Sequence, residues 1–458
     1  MKTHVHPKLI IVIVIVFSSI SVFAQKEAVL KDSLPQKWTY ISEFSQTLPS
    51  DDKWWTNFDD KCLDSLINIA IDNNYDLQIA QKRIALAKSA IKLAQSGYYP
   101  NLSMSAGWTK ERHESNFDLG LNFSWQIDLF GQITSQAKAK KALWQASKSQ
   151  YDGAMVTLCA NIATAYINLR TWQTQYMVAM WHIQSQKEIL NMVENRFKSG
   201  LASMFDVSQS RTLFLSTQAS IAPLMASIEA QINSIAILLG VYRDKLPQSI
   251  YKATKLPNVN TLIPVGVPMD LLRRRPDIKE AEYNLASYAA EIGIAKKDFL
   301  PTLTLDGGIG FKSSKIGDIF KDDSFNYTIS PTLSWTIFDG LSRKYHFIEA
   351  KEQYEIGIDN YNNTVMNAVK EVQNSMITYK YKLIETQEAV KVKEESYRSL
   401  EYAIDLYKKG LTAYSDVLTA QQTYLEYNNS LVVSQGDALL ATISIYQALG
   451  GGWNNIEY

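Results

Sequence analysis

From Leu77 the apolar residues step by three and four, through Ala80, Ile84, Ala87, Ile91 and Ala94. That spacing lays side chains along one stripe of an α-helix and, when sustained, builds a coiled-coil seam. Ile278, Ala281, Leu285, Tyr288, Ile292 and Ala295 repeat it. A second seam on the first helix, Ile79, Leu86, Ala90 and Leu93, predicts two helical neighbours, as in a ring or sheet of helices. Between Gly131 and Gly200 only Gly153 interrupts a far longer run, in which Leu158, Ile162, Ala165, Leu169, Trp172, Tyr176, Ala179, Ile183, Leu190, Val193 and Phe197 hold the rhythm. At about 1.5 Å per residue this is a rod on the order of 100 Å long, more than a globular core can use. A second rod runs over 342–409 with Val365, Val369, Val372, Met376, Tyr379, Leu383, Val390, Tyr397, Leu400 and Ile404. Each rod ends at a glycine, Gly200 or Gly410, and a helix returns; the second return carries Leu418, Leu425, Val432, Leu439 and Tyr446 seven apart.

At Pro100 and Pro301 the period changes to two. Leu102, Met104, Ala106 and Trp108 alternate with Ser103, Ser105, Gly107 and Thr109, and Phe117, Leu119, Leu121, Phe123, Trp125 and Ile127 alternate with Asp118, Gly120, Asn122, Ser124 and Gln126. The later pair of runs carries Leu303, Leu305, Ile309 and Phe311, then Phe325, Tyr327, Ile329, Leu333, Trp335 and Ile337. Two-faced runs of roughly 9 to 11 residues suit strands with lipid on one side and water on the other. Trp108, Trp125, Phe311 and Trp335, near the strand ends, suit the aromatic girdles of a membrane interface. The plainer alternative is a soluble hairpin packed on a helix. Pro331 removes one ladder donor and predicts a bulge or a sheet edge.

The chain is a tandem duplication. Asp76, Ala80, Ile91, Ala94, Pro100 and Gly107 match Asp277, Ala281, Ile292, Ala295, Pro301 and Gly308 at an offset of 201. After a longer loop in the second copy the offset is 210, matching Trp125 with Trp335, Gly200-Leu201 with Gly410-Leu411, Asp206-Val207 with Asp416-Val417 and Leu239-Gly240 with Leu449-Gly450. The expected organisation is a leader over 1–24, an N-terminal segment over 25–60 packed on the helical body, a first repeat over 61–240, a connector over 241–273, a second repeat over 274–450 and a tail over 451–458. The first repeat would hold strands at 101–110 and 117–128, a long helix at 131–199 and a returning helix at 204–239; the second would hold strands at 302–312 and 325–338, a long helix at 342–409 and a returning helix at 414–449. Four strands cannot close a barrel, and an open edge in lipid leaves backbone groups unpaired, so several chains must join. Two copies would supply eight strands, too narrow for a water-filled pore; three would supply twelve.

Composition narrows the function. Lys2 and Lys8, the apolar run Leu9 to Phe17, and Val22 and Ala24 before Gln25 form an export signal. Lys+Arg and Asp+Glu both number 46 in 458 residues, so losing Lys2 and Lys8 leaves 44 against 46 and a net charge near −2; nothing favours nucleic acid. Cys62 and Cys159 lack CxxC spacing and read as buried small apolar residues. No GxSxG, P-loop, HExxH or CxxC occurs, His113, His182 and His346 stand apart, and GGIG at 307–310 is strand glycine. No catalytic, metal or cofactor residue is therefore expected.

The stretches KWWTNFDDKCLDSLINIAIDNNYDLQIAQKRIALAKSAI at 53–91, VGVPMDLLRRRPDIKEAEYNLASYAAEIGIAKKDFLPTLTL at 265–305, RFKSGLASMFDV at 196–207 and WTIFDG at 335–340 resemble the TolC-like outer-membrane efflux proteins, above all the branch serving resistance-nodulation-division pumps. The resemblance covers essentially the whole mature chain. It implies a mainly α fold with a transmembrane β part: a homotrimeric 12-stranded β-barrel in the Gram-negative outer membrane, its outer surface in lipid, continued by a 12-helix periplasmic α-barrel. It implies, too, an exit duct passively conducting small molecules from an inner-membrane resistance-nodulation-division pump and a periplasmic adaptor protein. By the same resemblance the adaptor docks on the tips at Gly200, Leu201, Ser203, Gly410, Leu411, Thr412 and Ser415, while Asp206, Tyr407 and Asp416 form a periplasmic gate, Tyr407 bonding to Asp206 on a neighbouring helix pair. Ala413 stands where the pattern has a hydroxyl, and the basic and second acidic latch residues that some relatives carry near Thr412 and Thr419 are missing, which implies a differently wired gate. Asp206 and Asp416 also suit the N-caps of the returning helices. Arg273, Arg274 and Arg275 suit salt bridges, with anion binding the alternative; Trp54 and Trp55 suit anchoring of the N-terminal segment. Two other functions stay open at this point: an exit duct for type I protein secretion, and a non-conducting periplasmic coiled-coil scaffold.

Overall fold

The computed structural model describes residues 34–38, 44, 53–257 and 263–451. The signal peptide and the tail beyond 451 lie outside the described residues. In chain order the main elements are α1 (Lys61–Asn73), α2 (Tyr75–Ser96), β1 (Asn101–Lys110), β2 (Ser115–Ile127), α3 (Gln132–Lys198), α4 (Met204–Ala219), α5 (Ile221–Leu238), α6 (Pro276–Lys297), β3 (Thr302–Ser313), β4 (Phe325–Ser334), α7 (Ser342–Lys408) and α8 (Tyr414–Ala448). The fold is mainly α with one small antiparallel sheet, and α3 and α7 are each 67 residues long. The chain divides into two compact units: one holds Ala90–Leu143 and Tyr283–Asn362, the other Pro35–Ser89, Trp144–Glu282 and Asn363 onward.

In the first unit the strands form a meander in the order β1-β2-β3-β4, so the two copies of the repeat meet at β2 and β3. Register segregates the faces: Met104, Leu121, Ile309 and Tyr327 make one cross-strand row, and Ser103, Asn122, Gly308 and Thr328 the next on the opposite face. The apolar row is exposed, Met104 at 71% and Tyr327 at 68%, and β1 and β4 each leave one edge unpaired within the chain. Pro331 sits on the edge strand, opposite Leu305 in unbroken register, so the edge reading holds and the bulge does not. β4 is shorter than the expected 325–338. Ser334 pairs with Thr302, and the residue before Thr302 is Pro301, which has no N–H to extend the ladder.

The returning helix of the first copy also departs from expectation. Instead of one helix over 204–239 there are two, α4 and α5, meeting at Ser220. Pro223 accounts for the break, since it cannot donate to the carbonyl of Ala219. The second copy has no proline there, and α8 runs 35 residues unbroken.

In the second unit the core lies between helices and against the connector. Asp60 caps α1, accepting from Cys62 N at 2.8 Å, and its other oxygen accepts from Tyr166 Oη at 2.5 Å. The fully buried Arg170 lies over the Tyr166 ring at 4.8 Å and donates through Nη1 to Gln173 Oε1 and Lys252 O, both at 2.7 Å. A buried cation thus ties α3 to the connector through its carbonyls. Gly240 is required outright: its φ is +67°, and a Cβ would meet Asn73 O at 2.4 Å. Cys159 is fully buried, whereas Cys62 is only half-buried, its Sγ 3.1 Å from Ser249 Oγ; both are free thiols. Trp54 stacks on Tyr446 at 5.0 Å, anchoring the segment that precedes α1.

Candidate functional site: the tip turns and the sheet rim

Both rods end in the same backbone device. Gly200 takes φ +73° and Gly410 +74°, a conformation open to glycine. Leu201 N donates to Arg196 O at 2.8 Å and Gly200 N to Phe197 O at 2.9 Å; Leu411 N and Gly410 N repeat the pair to Leu406 O and Tyr407 O at 2.9 and 3.0 Å. These bonds satisfy helix-end carbonyls and turn the chain sharply. Nothing lies within 4 Å of a Cβ built at either glycine, so the backbone angle and not crowding demands the residue.

The starts of the returning helices differ. Ser203 is the N-cap of α4: its Oγ accepts from Asp206 N at 3.1 Å, and Ser203 N donates to Asp206 Oδ2 at 2.9 Å, a closed capping box. At α8 the N-cap is Ala413, which has no side-chain acceptor, and Thr412 Oγ1 donates instead to Asp416 Oδ2. Asp206 and Asp416 are thus not N-caps. Each is the third residue of its helix, where a carboxylate still complements the N-terminal dipole.

Beneath the turns Ile189, Leu190, Val193, Val207, Tyr407, Tyr414 and Val417 form one buried cluster that joins the two copies. The rings of Tyr407 and Tyr414 meet at 5.6 Å and 62°, and neither hydroxyl oxygen makes a hydrogen bond of good geometry. Burial raises both phenol pKa values. Among the described residues of the single chain Tyr407 Oη is not bonded to Asp206, whose Oδ2 accepts from Ser203 N at 2.9 Å. Arg196, which sequence reasoning missed, lies over the Tyr407 ring at 4.7 Å and donates to Lys408 O at 3.1 Å. Leu201, Leu411, Met204 and Phe205 are exposed, and Ser415 and Asp416 face solvent beside them. Met204 and Phe205 were also missed. The signal was available: they fall off the seam of Val207, Ser210 and Leu213 that α4 buries.

At the sheet, Trp125 Nε1 donates to Tyr98 O at 2.9 Å and Trp335 Nε1 to Phe299 O at 3.1 Å, an equivalent bond in each copy at the helix-to-strand turn. Trp335 therefore lies just past β4 rather than within it. At the opposite end Trp108 stacks on Phe117 at 6.2 Å, and Phe311 meets Phe325 at 5.8 Å. The two aromatic sets are separated by eight residues of β2, about 27 Å along a strand, which at the ~40° strand tilt of a membrane barrel spans about 20 Å of its roughly 25 Å apolar band. Arg275 is the structural arginine of the LLRRRPDI stretch: it forks onto Asp277 at 2.9 and 2.6 Å, pairs with Glu371 at 2.8 Å and donates to Ala448 O at 2.8 Å. The side chain of Arg273 lies outside the description. No group of three or more His, Cys, Asp and Glu residues able to hold a metal occurs among the described residues.

An exposed apolar sheet face with two unpaired edges, carried in one chain with two very long helices, is the build of a membrane-channel subunit. The comparisons agree. The outer membrane efflux protein family matches residues 66–241 and 267–451. The chain is 29% identical over 413 residues to the solvent efflux pump outer membrane protein SrpC of Pseudomonas putida, covering 87% of each chain. It is 27% identical over 412 residues to the cation efflux system protein CusC of Escherichia coli, covering 87% of this chain and 88% of that one. Among solved structures it superposes on the outer-membrane channel OprN with a TM-score of 0.85 at 27% identity, covering 93% of this chain and 99% of that one. The chain belongs to the outer membrane efflux protein family, a family of transport ducts, and its place is the outer membrane of a Gram-negative cell.

Proposed function

We propose that three copies close their sheets into one 12-stranded barrel, and that the protein is the passive exit duct of a tripartite efflux system. The observation that carries the reading is the four-stranded sheet with both edges unpaired and its apolar face exposed. In lipid each unpaired backbone group costs several kcal/mol, and edge pairing with identical neighbours removes that cost. A further sign is the apolar stretch Met204–Leu238, most of whose side chains are not buried within one chain. Neighbouring copies would cover it.

In this reading the polar sheet face and the helices enclose an aqueous path, and the protein does no covalent chemistry. An inner-membrane pump supplies the energy and a periplasmic adaptor seats on the tips, where Leu201, Met204, Phe205 and Leu411 offer exposed apolar surface. Asp416 would form a threefold carboxylate ring, with Tyr407 in the buried tip cluster and Asp206 at the equivalent turn of the first copy. Relatives named for solvent and for cation efflux share this fold, which supports selection of cargo upstream of the duct.

The test is direct. The detergent-purified protein should run as a trimer and conduct ions in planar bilayers, and its deletion should raise drug susceptibility without affecting protein secretion. A protein that stays a water-soluble monomer, or a folded oligomer without conductance, would overturn the reading.

A further inference from the structure

The polar face of the sheet carries few charges, and register shows which of them are compensated. Asp118 lies directly across from Lys312. Asp306 lies between Ser124 and Ser330, with Asn101 beyond Ser124 in the same row. The row on one side is Ser103, Asn122, Gly308 and Thr328; on the other, Gln126, Thr304 and Thr332. None of these is basic.

Asp306 also faces open space. A cavity of about 980 Å³ extends from it towards the start of α3, where Gln132 and Gln136 line it, and Asp306 is the only charged side chain among its lining residues. At the junction below, charges are engaged locally: Asp298 holds Gln132 and His346 at 2.7 and 2.9 Å, and Lys297 is bonded to Gly131 O and Ser135 Oγ. Among the described residues, the register neighbours of Asp306 and the cavity lining thus place one carboxylate per chain on the polar wall with no basic residue among them.

We propose that Asp306 is the residue that sets cation preference in the sheet-lined part of the conduit. This rests on the trimeric channel reading, in which three Asp306 carboxylates share one level of the lumen. Fixed charge of one sign in a confined path raises the local concentration of counter-ions and excludes co-ions. The range of that field is the Debye length, about 10 Å at 0.1 M salt and 3 Å at 1 M. A wall charge in a wide pore should therefore select at low salt and lose its grip at high salt.

The experiment measures reversal potentials in planar bilayers under a KCl gradient, in an Asp416→Ala background so that the tip ring does not contribute. The nearly isosteric Asp306→Asn should lower the cation-to-anion permeability ratio roughly twofold or more near 0.1 M, with the difference fading near 1 M. Asp306→Lys should lower it further. Asp306→Glu should keep the parent ratio and so controls for folding, and Asp306→Ser replaces Asn should that variant not assemble. Conducting variants whose ratios match the parent at low salt would overturn the assignment while leaving the channel intact. Absence of conductance in the folded parent oligomer would instead remove the channel reading and this inference with it.

Discussion

The two tips of one chain are an internal experiment in helix capping. Ser203 and Ala413 occupy equivalent N-cap positions with nearly the same backbone, φ −90° and ψ 158° against φ −79° and ψ 159°. Only Ser203 has an oxygen to offer, and it receives Asp206 N at 3.1 Å. Replacing Ala413 with serine needs no backbone movement and supplies a side-chain acceptor to Asp416 N, which otherwise donates to Ala413 O at 3.2 Å. Alanine at an N-cap costs about 1 kcal/mol relative to serine. The first turn of α8 should then open about fivefold less often, since 1.4 kcal/mol is a factor of ten. Native-state hydrogen exchange on the assembled protein reads this at the amides of Asp416, Val417 and Leu418. Ala413→Ser should slow them about fivefold, and Ser203→Ala should speed those of Asp206 and Val207 by a similar factor. Exchange at Asp416 that is unchanged in Ala413→Ser, while Ser203→Ala behaves as expected, would show that Thr412 already does the capping by holding the Asp416 carboxylate, and would refute the argument.

Three further outcomes are expected. Asp416→Ala should raise resting conductance in planar bilayers, and an unaltered value would leave Asp416 only its role at the start of α8. Burial holds the His182 pKa down to about 4, against about 6.5 when unfolded; the unfolded chain therefore binds the extra proton, so stability is flat above that upper value and falls as pH drops towards 4. His182→Gln should flatten the fall in thermal stability between about pH 6.5 and 4.5, and an identical pH profile would count against the assignment. Arg275→Ala should cost about 2–3 kcal/mol, near the low end for a buried pair because Asp277 and Glu371 stay half-exposed and can hydrate. Arg275→Lys should recover only part, having no fork for Asp277, and a melting temperature untouched by either change would contradict the structural role.

Much of this molecule is legible from covalent periodicity alone. Side chains recur every 3.6 residues on a helix and every two on a strand, so the seam from Leu77 to Ala94, the rods ending at Gly200 and Gly410 and the alternation from Leu102 to Trp108 announce themselves in order along the chain. The duplication and the two-faced strands follow from the same local rule, and the helix-ending glycines from the left-handed backbone they alone adopt cheaply. What depends on a distant partner was not legible. β4 stops at Ser334, where the next residue in line is Pro301, just before β3, with no N–H to offer; Asp206 closes a capping box with Ser203; Arg196 finds the Tyr407 ring across 211 positions of sequence. Arg170 and Asp306 look like ordinary charged residues until folding buries one against the carbonyls of Ser249 and Lys252 and sets the other across from two serines on the polar face of the sheet. Local geometry is written into each residue and its neighbours, whereas pairing, burial and the net charge of a wall exist only once remote segments have met.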